Sequence, residues 1–290
     1  MGCRSSCDSP LFFCYNTSKV CVKEVTTVAI VLTVTNQKGG VGKTTTATAI
    51  AAGLARRGAR VLGIDLDPQG NLGFCLGLEG NGPTVLDALQ GKIRVQTAIR
   101  RLPLVDVLAS DITLSSSGLD KLPPGEREST LRKTLEPVMD YYDYVVIDTP
   151  PALNIITVNA YVVSDDLIIP MNTDILSLVG LSQLRETIDS VRMQLNPDLR
   201  VLGILLNRFT KRTRLAKDVL DMADTIAKQI GTKVFDTKIR NSIAVAEAPA
   251  HGEDVFTFDR HSTGARDYES LIDEIAKDIK LEEVLADGKV

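Results

Sequence analysis

Lys38-Gly39-Gly40-Val41-Gly42-Lys43-Thr44-Thr45 lies between a β-branched run, Val28–Thr35, and a helix-length segment, Thr44–Arg57. Glycines at 39, 40 and 42 let successive backbone N–H groups turn inward as an anion-binding nest, and the helix start behind them adds partial positive charge. The stretch satisfies the G-K-[ST] end of the phosphate-loop pattern, although the first position of G-x4-G-K-[ST] is Gln37 rather than Gly. An ordinary glycine-rich turn is the bland alternative. It is disfavoured because the strand–loop–helix context that such a motif requires is present.

The chemistry follows from the residue types. Lys43 is placed to reach the β- and γ-phosphates of a nucleotide, and Thr44 to offer its hydroxyl to a Mg²⁺ ion that keeps most of its waters. Two later strands end in carboxylates: Ile64-Asp65-Leu66-Asp67-Pro68-Gln69-Gly70-Asn71, and Tyr144-Val145-Val146-Ile147-Asp148-Thr149-Pro150-Pro151. An apolar run closing in Asp is the form of the strand that holds metal-bound water in phosphate-loop proteins. Asp148 alone could be a helix cap. Behind a phosphate loop it reads as a metal-side residue.

Outward from this centre the pattern is βα repeated, the signature of a parallel sheet with helices on both faces. Strands are predicted at Val28–Thr35, Val61–Asp65, Val105–Ala109, Tyr144–Asp148, Leu167–Pro170, Val201–Leu206 and Lys233–Phe235. Helices are predicted over Thr44–Arg57, Glu128–Met139, Leu178–Leu195, Leu215–Ile230 and Gly264–Lys280. The expected fold class is α/β, a doubly wound, mostly parallel sheet of the P-loop NTPase type, in one domain over residues 25–285 with a tail at 286–290. Residues 1–24 hold four of the five cysteines and show no period, so they are expected to be a leader outside the fold. The Met1–Ser6 myristoylation pattern is short enough to arise by chance. Apolar residues make up 44% of the 290 and charged residues 24%, which excludes collagen, low-complexity disorder and a coiled coil. No run approaches the roughly 18 apolar residues of a membrane span, and a cytoplasmic protein is expected.

These residues resemble the ParA/MinD/Soj class of P-loop ATPases, which shares the deviant sequence K-G-G-V-G-K-T-T. The resemblance continues in Asp65–Asn71 (D-L-D-P-Q-G-N), Val145–Pro151 (V-V-I-D-T-P-P), Ile239–Gly252 (I-R-N-S-I-A-V-A-E-A-P-A-H-G) and the late G-A-x-D-Y of Gly264–Tyr268. The D-L-D-P-Q-G-N stretch and the E-A-P-A-H-G end of Ile239–Gly252 point to the partitioning branch rather than the septum-positioning one. The resemblance implies ATP and Mg²⁺ as cofactors, with Asp65 supporting the Mg²⁺ shell, and an ATP-dependent homodimer in which Lys38 touches the partner's phosphates and Asp67 orients the attacking water. It also implies nonspecific DNA on the nucleoid as a partner and a ParB-type centromere-bound stimulator. Asn207 is similar to the family's adenine-contacting residue. On its residue type alone it could equally form a turn.

The formal net charge of −4 conceals an uneven distribution. Arg200–Arg240 carries ten basic residues against four acidic ones, so that segment is +6 and the rest of the chain −10. Lys211, Arg212, Arg214, Lys217, Lys238 and Arg240 are the candidate DNA contacts, through salt-sensitive phosphate binding. A solvated helix face is the plainer alternative. The family often has a second Arg before the Glu of this stretch, where this chain has Ala244. Arg266–Val290, with eight acids and four bases, argues against a basic membrane-binding helix. An iron–sulfur role lacks cysteine ligands in the body, where Cys75 stands alone as a small apolar residue. Two other readings share the ATP chemistry: positioning of a protein cargo, and a nucleotide-gated regulator. The latter is disfavoured because residues 1–24 are too short for a helix-turn-helix domain.

Overall fold

The computed structural model describes residues 28–210 and 214–279; the leader, the tail, Lys211, Arg212 and Lys280 lie outside the described residues. Six strands, β1 (Ile30–Val34), β2 (Val61–Asp65), β3 (Asp106–Leu108), β4 (Tyr144–Asp148), β5 (Asp166–Asn172) and β6 (Arg200–Asn207), form one sheet in the order β3-β2-β4-β1-β5-β6. Every pairing between them is parallel. Eleven α-helices are described: α1 (Lys43–Arg56), α2 (Asn71–Cys75), α3 (Val85–Leu89), α4 (Val95–Ala98), α5 (Glu126–Leu135), α6 (Ile155–Val163), α7 (Ile175–Gln194), α8 (Arg214–Ile230), α9 (Ile243–Glu247), α10 (Val255–Asp259) and α11 (Thr263–Asp278).

The strands are continuous apolar runs because both faces of the sheet are covered. Side chains alternate between the faces: Val31, Val145, Ile147, Leu167 and Ile169 pack with α5, α6, α7 and α8, whereas Leu32, Val34, Val146, Ile168 and Leu205 pack with α1 and α11. α1 approaches α11 closely at Gly53, where a Cβ would stand 1.9 Å from the Ile272 side chain.

The short helices α2, α3, α4, α9 and α10 were not expected, and three further differences have a local reason. Lys233–Phe235 is a bridge and not a strand: Val234 pairs with Ile204, but the next amides, Asp236 and Thr237, donate to the Glu274 carboxylate on α11 at 2.9 and 3.0 Å. The helix expected over Glu128–Met139 starts earlier, where the Glu128 carboxylate accepts from the Gly125 amide, and ends at Leu135 in a 3₁₀ turn that holds Pro137. α6 was not expected; Asn154 caps it by accepting from the Ile156 and Thr157 amides.

Candidate phosphate-binding site

The sheet's register assembles the site. At its carboxyl edge Asp148 stands level with Val34, the last residue of β1, on one side and with Asp65 of β2 on the other. The loop leaving β1 therefore runs past both carboxylates. Gly40 and Gly42 hold φ of 72° and 89°, the left-handed region that glycine enters without strain. Gly42 has a second reason to lack a side chain, since a Cβ would lie 2.7 Å from the Asn207 amide nitrogen. The loop feeds α1, so the first N–H groups of a 14-residue helix face the same space.

Lys43 is buried, and its Nζ donates to the Lys38 carbonyl at 3.1 Å. Burial lowers its pKa from the ordinary lysine value, against the opposing pull of Asp148 and Asp67. Asp148 is fully buried, and neither of its oxygens has a hydrogen-bond partner. Burial first, then the neighbouring Asp65 charge, push its pKa well above the carboxylate range, while Thr44 and Lys43 act the other way. An orphaned buried carboxylate facing a hydroxyl and an ammonium calls for a cation. Among the described residues no cluster of three His, Cys, Asp or Glu side chains could hold a metal alone. That fits Mg²⁺, which takes one or two protein oxygens and completes its shell with water and phosphate.

Asp65, expected beside Asp148 at the metal, accepts a backbone hydrogen bond on each oxygen. Its Oδ1 accepts from the Asp67 amide at 2.9 Å and its Oδ2 from the Leu72 amide at 2.8 Å. It therefore folds the loop over residues 66–70 and sets the position of Asp67, which is half-buried and accepts from the Gln69 amide at 3.0 Å. Burial pushes the Asp65 pKa up to about 7 even though those amides lower it.

Lys38 turns back onto its own chain. Its Nζ meets Asp174 Oδ1 and Oδ2 at 2.7 and 2.8 Å and Ser177 Oγ at 3.3 Å. Asp174 also caps α7 by accepting from the Ser177 amide at 2.9 Å. Sequence reasoning named neither residue; an Asp followed three positions later by Ser at a helix start reads as a cap and carries no sign of its lysine partner. Asn207 is no simple turn former, because its Nδ2 donates to the Val41 carbonyl of the phosphate loop at 2.7 Å. Its Oδ1 is buried without a partner. The turn falls one residue later, at Arg208, which holds φ at 52°.

Of the candidate DNA contacts, Lys211 and Arg212 lie outside the described residues. Arg214 and Lys217 lie in the first turn of α8, and their side chains are likewise outside what is described. The remaining two are engaged within the chain. The Lys238 ammonium donates to the Phe235 and Asp236 carbonyls at 2.7 and 3.0 Å, and the Arg240 guanidinium makes a two-pronged pair with Asp267, NH2 to Oδ1 at 2.6 Å and Nε to Oδ2 at 2.9 Å. Ala244 is buried. Among the described residues no helix is long and apolar enough to cross a membrane.

Comparison with known proteins bears on the same geometry. Residues 29–201 match a family model described as an AAA domain. The chain is 39% identical over 242 residues to the chromosome-partitioning ATPase Soj of Treponema pallidum, covering 83% of this chain and 94% of that protein. It is also 39% identical over 251 residues to the chromosome partitioning protein ParA of Caulobacter vibrioides, covering 84% and 93%. Among solved structures, cobyrinic acid a,c-diamide synthase of Mycobacterium smegmatis with bound ADP and magnesium is similar at a TM-score of 0.75 and 32% identity, over 87% of this chain and 96% of that one.

Proposed function

The chain belongs to the Soj/ParA family of P-loop ATPases, and from that premise we propose that it is a partitioning ATPase that binds ATP with Mg²⁺, dimerises around two nucleotides and then holds nonspecific DNA. Hydrolysis is slow until a ParB-type, centromere-bound partner stimulates it. The observation that carries this reading is the orphaned Asp148 carboxylate beside Thr44 and Lys43, at the mouth of a loop whose glycines open backbone N–H groups to an anion.

Each residue then has a role. The loop from Gly39 to Gly42 and the amides of Lys43, Thr44 and Thr45 cradle phosphate. Thr44 and Asp148 hold Mg²⁺ and its waters, which supplies charge neutralisation for the transferring phosphoryl group. Lys43 neutralises the β- and γ-phosphates in cis, and Lys38 those of the partner's nucleotide. Asp67, presented by the loop that Asp65 folds, orients the attacking water. The unpartnered Oδ1 of Asn207 accepts from the adenine amino group while its Nδ2 stays on Val41.

The test is a DNA-binding titration with ATP, ADP or no nucleotide at two salt concentrations. Binding should require ATP and weaken steeply with salt. Lys43→Ala should lose it, whereas Asp67→Ala should keep it and stop turnover. ATP-dependent DNA binding that survives in Lys43→Ala would refute the mechanism.

A further inference from the structure

We propose that Asp174 and Ser177 form a cis latch on Lys38, which competes with the partner's phosphates for its ammonium and so sets the protein concentration at which the ATP dimer forms. This rests on the reading that Lys38 acts across the dimer.

An ammonium has three N–H donors. Here the three oxygens that meet Nζ, two from Asp174 and one from Ser177, all belong to the same chain. With its donors occupied in this way, Lys38 cannot bind a second subunit's phosphates until it leaves Asp174. Cis pairing and trans reach are therefore alternatives, and the equilibrium between them enters the dimerisation constant directly.

The latch is anchored at one end and released easily at the other. Asp174 is fixed by its cap bond to the Ser177 amide at the head of a 20-residue helix, and Ser177 is buried. The ion pair itself is about one-third exposed, at 30% for Lys38 and 38% for Asp174. Pairs of that exposure are weak and screened by salt, so the latch adjusts the equilibrium and does not block it.

The chemistry supplies a clean variant. Asp174→Asn removes the charge that holds Lys38 and keeps a good helix cap, since Asn is as effective there as Asp. Dimerisation would be followed by sedimentation or light scattering across protein concentrations with a non-hydrolysable ATP analogue and Mg²⁺. Binding of the same nucleotide would be measured separately, at protein concentrations too low for dimers. The latch requires Asp174→Asn to dimerise at about fivefold lower concentration than wild type, in line with an exposed ion pair, with unchanged nucleotide affinity of the monomer. The gap should narrow as salt rises. Ser177→Ala, which leaves the cap carboxylate in place, should shift the midpoint in the same direction by a smaller factor.

An unchanged or higher midpoint in Asp174→Asn, with wild type dimerising and Lys38→Ala not, overturns the latch and leaves the trans role of Lys38 standing. A Lys38→Ala variant that dimerises as well as wild type overturns both. A rise in monomer nucleotide affinity large enough to account for the lower midpoint also overturns the latch, because it places Asp174 in the nucleotide site.

Discussion

Asp148 combines full burial, two unpartnered oxygens and a second carboxylate level with it across the strand pair. Its charge is costly until a cation answers it. The sign of the resulting pH effect is fixed. A carboxyl whose pKa is higher in the folded chain than its unfolded value of about 3.9 binds protons more tightly when folded, so its penalty is absent below about pH 4 and complete above the folded pKa. Asp65, pushed up to about 7, adds to the same trend. In the presence of a chelator, Asp148→Asn should therefore melt about 2–4 °C above wild type at pH 8, near 1 kcal/mol for a chain of this size. The difference should close as the pH falls toward 4. With ATP and Mg²⁺ the order should reverse, because wild type gains a ligand that the amide holds less well. Equal melting temperatures at pH 8 without metal would show that the buried charge is compensated in some other way.

At the scale of elements, α11 explains the late G-A-x-D-Y stretch. Gly264 faces Val245, whose Cγ2 would lie 2.3 Å from a Cβ there, and Ala265 is fully buried, which lets the helix sit close to α9. Tyr268 then reaches Thr46 on α1, hydroxyl to hydroxyl at 3.2 Å, and Thr46 lies 3.5 Å from the Asn207 amide that holds Val41. This buried strut joins the last helix to the phosphate loop. Tyr268→Phe, which keeps the ring and removes one hydrogen bond, should weaken ATP binding about two- to tenfold by titration calorimetry, in line with the net value of a buried hydrogen bond. Unchanged affinity with a lowered melting temperature would reduce the strut to packing alone. None of this is legible from spacing, since residues 46, 207 and 268 are brought together only by the fold. The phosphate loop and its two carboxylate-ended strands were legible because phosphate binding demands those residue types in consecutive positions. α6 was not, because Ile155–Val163 is apolar on all sides and rich in β-branched residues, which leaves no helical period to read. The bridge at Val234 has strand-like residues, but after Phe235 the amides of Asp236 and Thr237 bind Glu274, a contact 37 to 38 residues away.

For the whole molecule, a charge engaged in the fold and a charge open to a partner count alike in the sequence. Arg240 contributes to the +6 of its segment, yet Asp267, itself mostly buried, takes its backbone amide and its guanidinium together. Removing one side of such a pair leaves a desolvated carboxylate behind. Arg240→Ala should therefore act on stability, lowering the melting temperature by several degrees, and leave the slope of log affinity for DNA against log salt within error of wild type. Lys211→Gln and Arg212→Gln should do the opposite. Every DNA phosphate that a variant no longer neutralises should reduce that slope by about one and weaken binding evenly across DNA sequences, with no change in melting. Wild type and these three variants in one salt titration, with melting curves alongside, separate the two classes. If Arg240→Ala flattens the slope while its stability holds, the Asp267 pair opens on DNA and Arg240 belongs with the DNA-binding residues; if neither Lys211→Gln nor Arg212→Gln changes the slope, the positive segment is a solvated face and not a DNA contact.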